Sequence, residues 1–131
     1  MNAHQALNTY KHVGVQSGVT DASPHQLITM LLDGAIDRIA SAKGAMARRE
    51  MARQGELVGS AITIIDNMRA SLDYDAGGEI AANLGALYDY MERRLLEAST
   101  TSDVDMLDEV NSLLREIKLG WDAIPAGHRK G

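Results

Sequence analysis

Apolar residues recur along this chain at alternating steps of three and four over four stretches, the spacing of helix seams that face other helices. No stretch alternates with period two for long enough to propose a strand. The first stretch opens on Ser23-Pro24-His25-Gln26. Ser23 can serve as N-cap, Pro24 stands at the first helical position where its missing N–H costs nothing, and Gln26 completes a capping box. Ile28, Leu32, Ala35, Ile39, Ala42 and Met46 form its seam, and a shorter track of Leu27, Met30, Leu31 and Gly34 widens the apolar face at the helix start. A glycine inside a helix costs about 1 kcal/mol relative to alanine, so Gly34 marks a close approach, either by a neighbouring helix or by a bound chain.

After a break near residues 49–53, a second helix is predicted over roughly 54–71. Its seam is Leu57, Ala61, Ile64, Met68 and Leu72, with Val58, Ile62 and Ile65 as a second stripe beside it. Asp73, Asp75 and the Gly77-Gly78 pair then read as the turn that reverses the chain. From Glu79 to about Ala98 a third helix carries Ile80, Leu84, Leu87, Met91 and Leu95. Thr100-Thr101-Ser102-Asp103 is a polar connection with several N-cap candidates. The fourth helix carries Leu107, Val110, Leu114, Ile117, Trp121 and Ile124 and is stopped by Pro125 and Gly127. Short connections make consecutive helices antiparallel. The expected fold is therefore all-α: an antiparallel up-down four-helix bundle over residues 23–125. Residues 1–22 form an N-terminal lid segment, with a short helix near His4 to His12, and residues 126–131 a flexible tail.

Composition narrows what such a bundle can do. The 131 residues form one domain with enough apolar material for a core, and no apolar run reaches the ~18 residues of a membrane span. No secretory signal pattern is visible at the N-terminus. There is no cysteine, which removes disulfides and thiolate metal sites. A net charge of −5 argues against nucleic acid as a partner, because phosphate contacts need clustered Lys and Arg. Arg48, Arg49 and Arg53 do bunch, but Glu50 and Glu56 interrupt them. Seven methionines and no phenylalanine indicate either gap-filling in the core or a surface that repacks around a partner.

Catalytic and metal chemistry find no support. No Glu-x-x-His pair exists for a di-iron bundle, and the four histidines (His4, His12, His25 and His128) lie in loose ends or a helix start. Phosphotransfer wants an exposed mid-helix histidine, whereas His25 sits in a first turn. No cysteine is available as nucleophile and no serine sits in a strand–turn–helix elbow. Asp73, Asp75 and Glu79 lack the spaced oxygen ligands of a calcium loop and are read as helix-start carboxylates. The chain is read as a binding module without cofactor, not an enzyme. A structural or regulatory bundle, such as a homodimerising adaptor, is the competing class.

Three segments also carry a resemblance. They are Ala22-Ser23-Pro24-His25-Gln26-Leu27-Ile28 through Met30 to Ala35; Leu72-Asp73 with Gly77-Gly78-Glu79-Ile80-Ala81-Ala82-Asn83-Leu84 and Leu87-Tyr88-Asp89-Tyr90-Met91; and Glu109-Val110 with Leu113-Leu114 leading to Trp121. In order and spacing they resemble the FliS family of cytosolic export chaperones for flagellin, over nearly the whole chain. This chain has Leu32 where many members carry an aromatic residue, and Tyr10 with Leu7 where many carry two tyrosines. The resemblance implies a cytoplasmic bundle that holds the disordered C-terminal segment of flagellin, prevents its premature polymerisation and delivers it to a component of the flagellar type III export gate. For some members it further implies an anti-sigma factor as a partner. Homodimerisation stays open. The wide apolar face at the start of the first helix and along the second, with the lid above it, nominates Tyr10, Leu27, Leu31, Gly34, Val58, Ile62 and Ile65 as partner-binding residues, and Tyr88 and Leu95 on the third helix join them.

Overall fold

The computed structural model describes residues 23–125, so the expected lid segment and tail lie outside the described residues. Four helices make up the described chain: α1 Pro24–Ala47, α2 Met51–Ala70, α3 Tyr74–Thr101 and α4 Val104–Asp122. The Ser23 capping box forms as its sequence requires: the Ser23 hydroxyl accepts from the Gln26 N–H (3.2 Å) and the Gln26 side chain accepts from the Ser23 N–H (2.8 Å). Asp73 and Asp103 cap α3 and α4 by accepting from the main-chain N–H groups of Ala76 (3.0 Å) and Asp105 (2.9 Å).

The connections are shorter than the sequence suggests. Helix α1 ends in a Schellman turn in which Glu50 N–H reaches Ala45 O (2.9 Å) and Arg49 N–H reaches Met46 O (3.1 Å), with Arg49 in the left-handed region at φ 57°. Helix α2 therefore starts at Met51, ahead of the expected 54. Ser102, at φ 52°, makes the equivalent turn after α3, with Asp103 N–H on Ala98 O (3.0 Å).

The double glycine acts differently from the expected turn. The chain reverses over residues 71–73, and α3 already begins at Tyr74. Gly78, at φ 51° and ψ −125°, is a kink inside α3, in a conformation only glycine adopts readily. The kink rotates the packing face that follows. Ala81, Gly85, Tyr88, Met91, Leu95 and Ala98 point inward, while Ile80, expected in the seam, is 73% exposed. The Tyr74 hydroxyl, from the turn before the kink, lies over Gly85, 2.5 Å from where a Cβ would stand.

Each helix packs on two neighbours, α1 on α2 and α4, and α3 on α2 and α4, closing a four-membered ring around one core. Named contacts fix the antiparallel order. Lys118 near the end of α4 pairs with Asp33 in the first half of α1 (2.6 Å), while Asp108 near the start of α4 pairs with Lys43 near the end of α1 (3.0 Å). Gln54 at the start of α2 donates to Ser99 O at the end of α3 (3.0 Å). The core holds Leu31, Leu32, Ile39, Ile65, Met68, Met91, Leu95, Leu107, Val110 and Leu114, all essentially without exposed surface.

Candidate partner-binding surface

The double apolar stripe of α2 has a packing explanation. A ring-bundle helix faces two neighbours, and each needs its own row of side chains. Leu57, Ala61, Ile64 and Met68 form one row; Val58 and Ile65 belong to the other and are buried with them. Of that second stripe, Ile62 is the member that keeps partial exposure.

The other nominated residues divide in the same way. Leu31 and Leu95 have no exposed surface, Tyr88 and Gly34 are buried, and Leu27 sits at the margin with 9% exposed. Tyr10 lies outside the described residues. Residues with no exposed area can meet a partner only when a covering element moves. The Tyr88 phenol is held neutral over a wider range than usual because burial raises its pKa.

Accessible apolar surface lies on α3 and α4 as well as on α1 and α2, where Ile28, Ile36 and Ile62 stay partly exposed. Leu84 and Leu87 on α3, and Leu113, Ile117 and Trp121 on α4, pack against the core while staying partly exposed. Ile80, Leu96 and Leu119 stand out in solvent. At the other end of this helix pair the surface is tied shut by charge. Tyr90 donates to Glu109 (2.6 Å) and Arg94 Nε to the other Glu109 oxygen (2.8 Å), and these two bonds lower the Glu109 pKa.

A second polar cluster bridges α2 and α3. Arg69 reaches Asp66 (2.6 Å), Asp89 (3.3 Å) and Glu92 (3.5 Å), and Arg93 reaches Asp89 (3.1 Å). Glu92 is pushed up to about 7, first by burial and then by the negative charge of Asp66, with Arg69 opposing. Among the described residues no group of carboxylates and histidines could hold a metal ion, and no helix is long and apolar enough to cross a membrane.

His25 has a role that its place near a chain end concealed. Its ring is buried and stacked on Trp121, with centroids 4.6 Å apart and planes 6° apart. Its Nε2 donates to Trp121 O (2.9 Å), since a carbonyl can only accept, and Trp121 Nε1 donates to His25 O (3.0 Å). The imidazole is thus a packing group, not a phosphoryl acceptor.

Compared with known proteins, residues 6–128 match the model of the family described as flagellar protein FliS. The chain belongs to the FliS family. It is 48% identical to the flagellar secretion chaperone FliSB of Pseudomonas aeruginosa over 124 residues, 95% of this chain and 98% of the relative. It is 44% identical to the flagellar secretion chaperone FliS of Salmonella typhimurium over 125 residues, 95% of this chain and 93% of the relative. The Vibrio cholerae protein of the same name is 42% identical over 120 residues, 92% and 88% of the two chains. FliS is a chaperone family, not an enzyme family.

Proposed function

We propose that this chain is a cytoplasmic export chaperone that binds the disordered C-terminal segment of flagellin, keeps it from polymerising early and supports its delivery to the flagellar type III export gate. The observation that carries the reading is the near-full-length match to flagellar secretion chaperones. The bundle suits the task physically. A segment that orders on binding loses conformational entropy and recovers it by burying apolar area. Partly exposed Leu84, Leu87, Leu113 and Ile117 on two adjoining helices offer such area, and the nominated Ile62 offers more on α2. Leu31, Val58, Ile65, Tyr88 and Leu95 join the contact only where covering elements shift. We assign residues 1–22 the role of a cover over part of this surface, displaced by the partner. An anti-sigma factor is a further partner in this reading.

Isothermal calorimetry of the full chain with a peptide covering a flagellin C-terminus tests the reading. Favourable enthalpy, opposing entropy and a clearly negative heat-capacity change are expected, with no need for nucleotide or metal. Absence of binding at high peptide concentration overturns it.

A further inference from the structure

Every residue of the stretch 73–80 is exposed, although it lies between Leu72, which packs against the core, and Ala81, which is buried. The first turn of α3 is closed on itself. Asp73 accepts from the Ala76 N–H at its side chain (3.0 Å) and from the Gly77 N–H at its carbonyl (2.8 Å). The turn meets the rest of α3 at Gly78, whose φ of 51° and ψ of −125° break the helical path. A closed turn between a packed residue and a glycine joint can swing as a unit without disturbing the core.

Tyr74 reaches from this turn back along α3 to Gly85, a buried position of the helix. The three atoms nearest to where a Gly85 side chain would stand are the Tyr74 Oη, Cζ and Cε1, at 2.5, 3.4 and 3.5 Å. The nearest cover over that notch is therefore the first turn of α3 itself, not a residue of α2 or α4. The cover is loosely held. Tyr74 is 51% exposed, and its hydroxyl makes no hydrogen bond among the described residues. A ring with one dry face, one wet face and no polar tie can leave without stranding a partner. The same turn of α3 carries Leu84 and Leu87, two of the partly exposed residues that the proposed function gives to the flagellin segment.

We propose that Tyr74 is an autoinhibitory latch: its ring fills the Gly85 notch in the free chain, and the turn that carries it swings out on Gly78 when the partner segment lays an apolar side chain there. This rests on the proposed function and deepens it. The chemistry of the incoming group follows from the one it replaces. The notch holds a ring edge without a hydrogen bond, so a leucine or aromatic side chain exchanges for it with no polar group left unpaired. The closing free energy of the latch subtracts from partner affinity and keeps the notch covered until a partner arrives.

Millisecond hydrogen exchange read by mass spectrometry tests the latch, using the full chain and a peptide covering a flagellin C-terminus. Adding peptide should speed exchange over residues 74–80 by about threefold or more, the reverse of the protection that a directly contacted segment gains. Tyr74→Ala should speed exchange there without peptide, and should bind the peptide about three- to tenfold tighter, because no cover has to be expelled. Tyr74→Phe keeps the ring and should match the unsubstituted chain in both respects. Gly85→Ala raises helix propensity and so keeps the fold, while its Cβ displaces the Tyr74 hydroxyl; exchange over 74–80 should rise as in Tyr74→Ala. Slower exchange over 74–80 with peptide, or weaker binding by Tyr74→Ala, makes Tyr74 a direct contact and overturns the latch. Unchanged affinity in Tyr74→Ala, or unchanged exchange on adding peptide, overturns it as well. If the unsubstituted chain binds no peptide, the functional reading fails and takes the latch with it. Binding by the unsubstituted chain with any of those overturning results removes the latch alone.

Discussion

His25 and Trp121 exchange hydrogen bonds across the end of the bundle, each side chain donating to the other's main-chain oxygen, with their rings stacked 4.6 Å apart. The contact joins the first turn of α1 to the last turn of α4, residues 96 apart in sequence. It therefore closes the ring of helices where chain ends would otherwise fray. His25→Ala removes the stack and one bond and should cost about 1–3 kcal/mol. Trp121→Phe keeps an apolar ring but leaves the His25 carbonyl without that donor, at about 1–2 kcal/mol. Urea unfolding followed by circular dichroism measures both. Losses within about 0.5 kcal/mol, the range of ordinary surface changes, would show that the contact does not hold this end closed.

Three residues read as seam positions, two on α3 and one on α4, should respond very differently to truncation. Leu114 has no exposed surface, Leu87 is partly exposed and Ile80 is 73% exposed. Leu114→Ala should cost about 2–5 kcal/mol, as a fully buried leucine does. Leu87→Ala should cost about 1 kcal/mol or a little more, since less area leaves contact with the core. Ile80→Ala should fall within about 0.5 kcal/mol. Equal losses for Ile80 and Leu114 would mean that the kink at Gly78 does not turn the α3 face as the structure has it.

The fold was legible because four seams and three caps agree with one another. Ser23, Asp73 and Asp103 are local signals, written within a few residues of the bonds they make. The face of α3 was harder to read. Ile80, Leu84 and Leu87 outrank Ala81, Gly85 and Tyr88 on any hydrophobicity scale, yet it is the latter three that are buried, on a helix that kinks at Gly78. The binding surface was least legible. On a helix with two neighbours, core and groove stripes differ by one position, so Val58 and Ile65 resemble groove residues while serving as core. His25 passed as a loose-end residue because its partner lies at the far end of the sequence.

Glu92 makes stability depend on pH in a direction opposite to the usual carboxylate. Burial, and then the charge of Asp66, raise it from 4.5 to about 7. Between these values the folded chain holds a proton that the unfolded chain has released. The stabilisation is fully present below 4.5 and is lost as pH rises through 7. Partial solvent access screens the effect, so it should amount to on the order of 1 kcal/mol. Glu109, whose pKa is lowered, contributes in the opposite sense at more acidic pH. A comparison with Glu92→Gln isolates the first effect. Between pH 5 and 8 the variant should gain stability relative to the unsubstituted chain in parallel urea titrations. Parallel stability curves would place the titrating proton elsewhere.

The N-terminal segment offers the sharpest test of how the surface is kept in the free chain. Residues 1–22 join α1 at Ser23, beside the His25–Trp121 contact, at the end of the bundle where α3 begins and α4 finishes. Exposed Ile80 and Leu119, with partly exposed Leu84 and Ile117, make those helix halves apolar, and uncovered apolar patches promote association. A cover that must be expelled subtracts its closing free energy from partner binding. Deleting residues 1–14 should therefore leave the helical spectrum and the unfolding transition intact, raise self-association in sedimentation, and leave affinity for the flagellin segment unchanged or higher. Tyr10→Ala should act in the same direction and more weakly, because it removes one amphipathic ring from the cover. Loss of binding on deletion, with the fold intact, would make the segment a direct contact and not a cover.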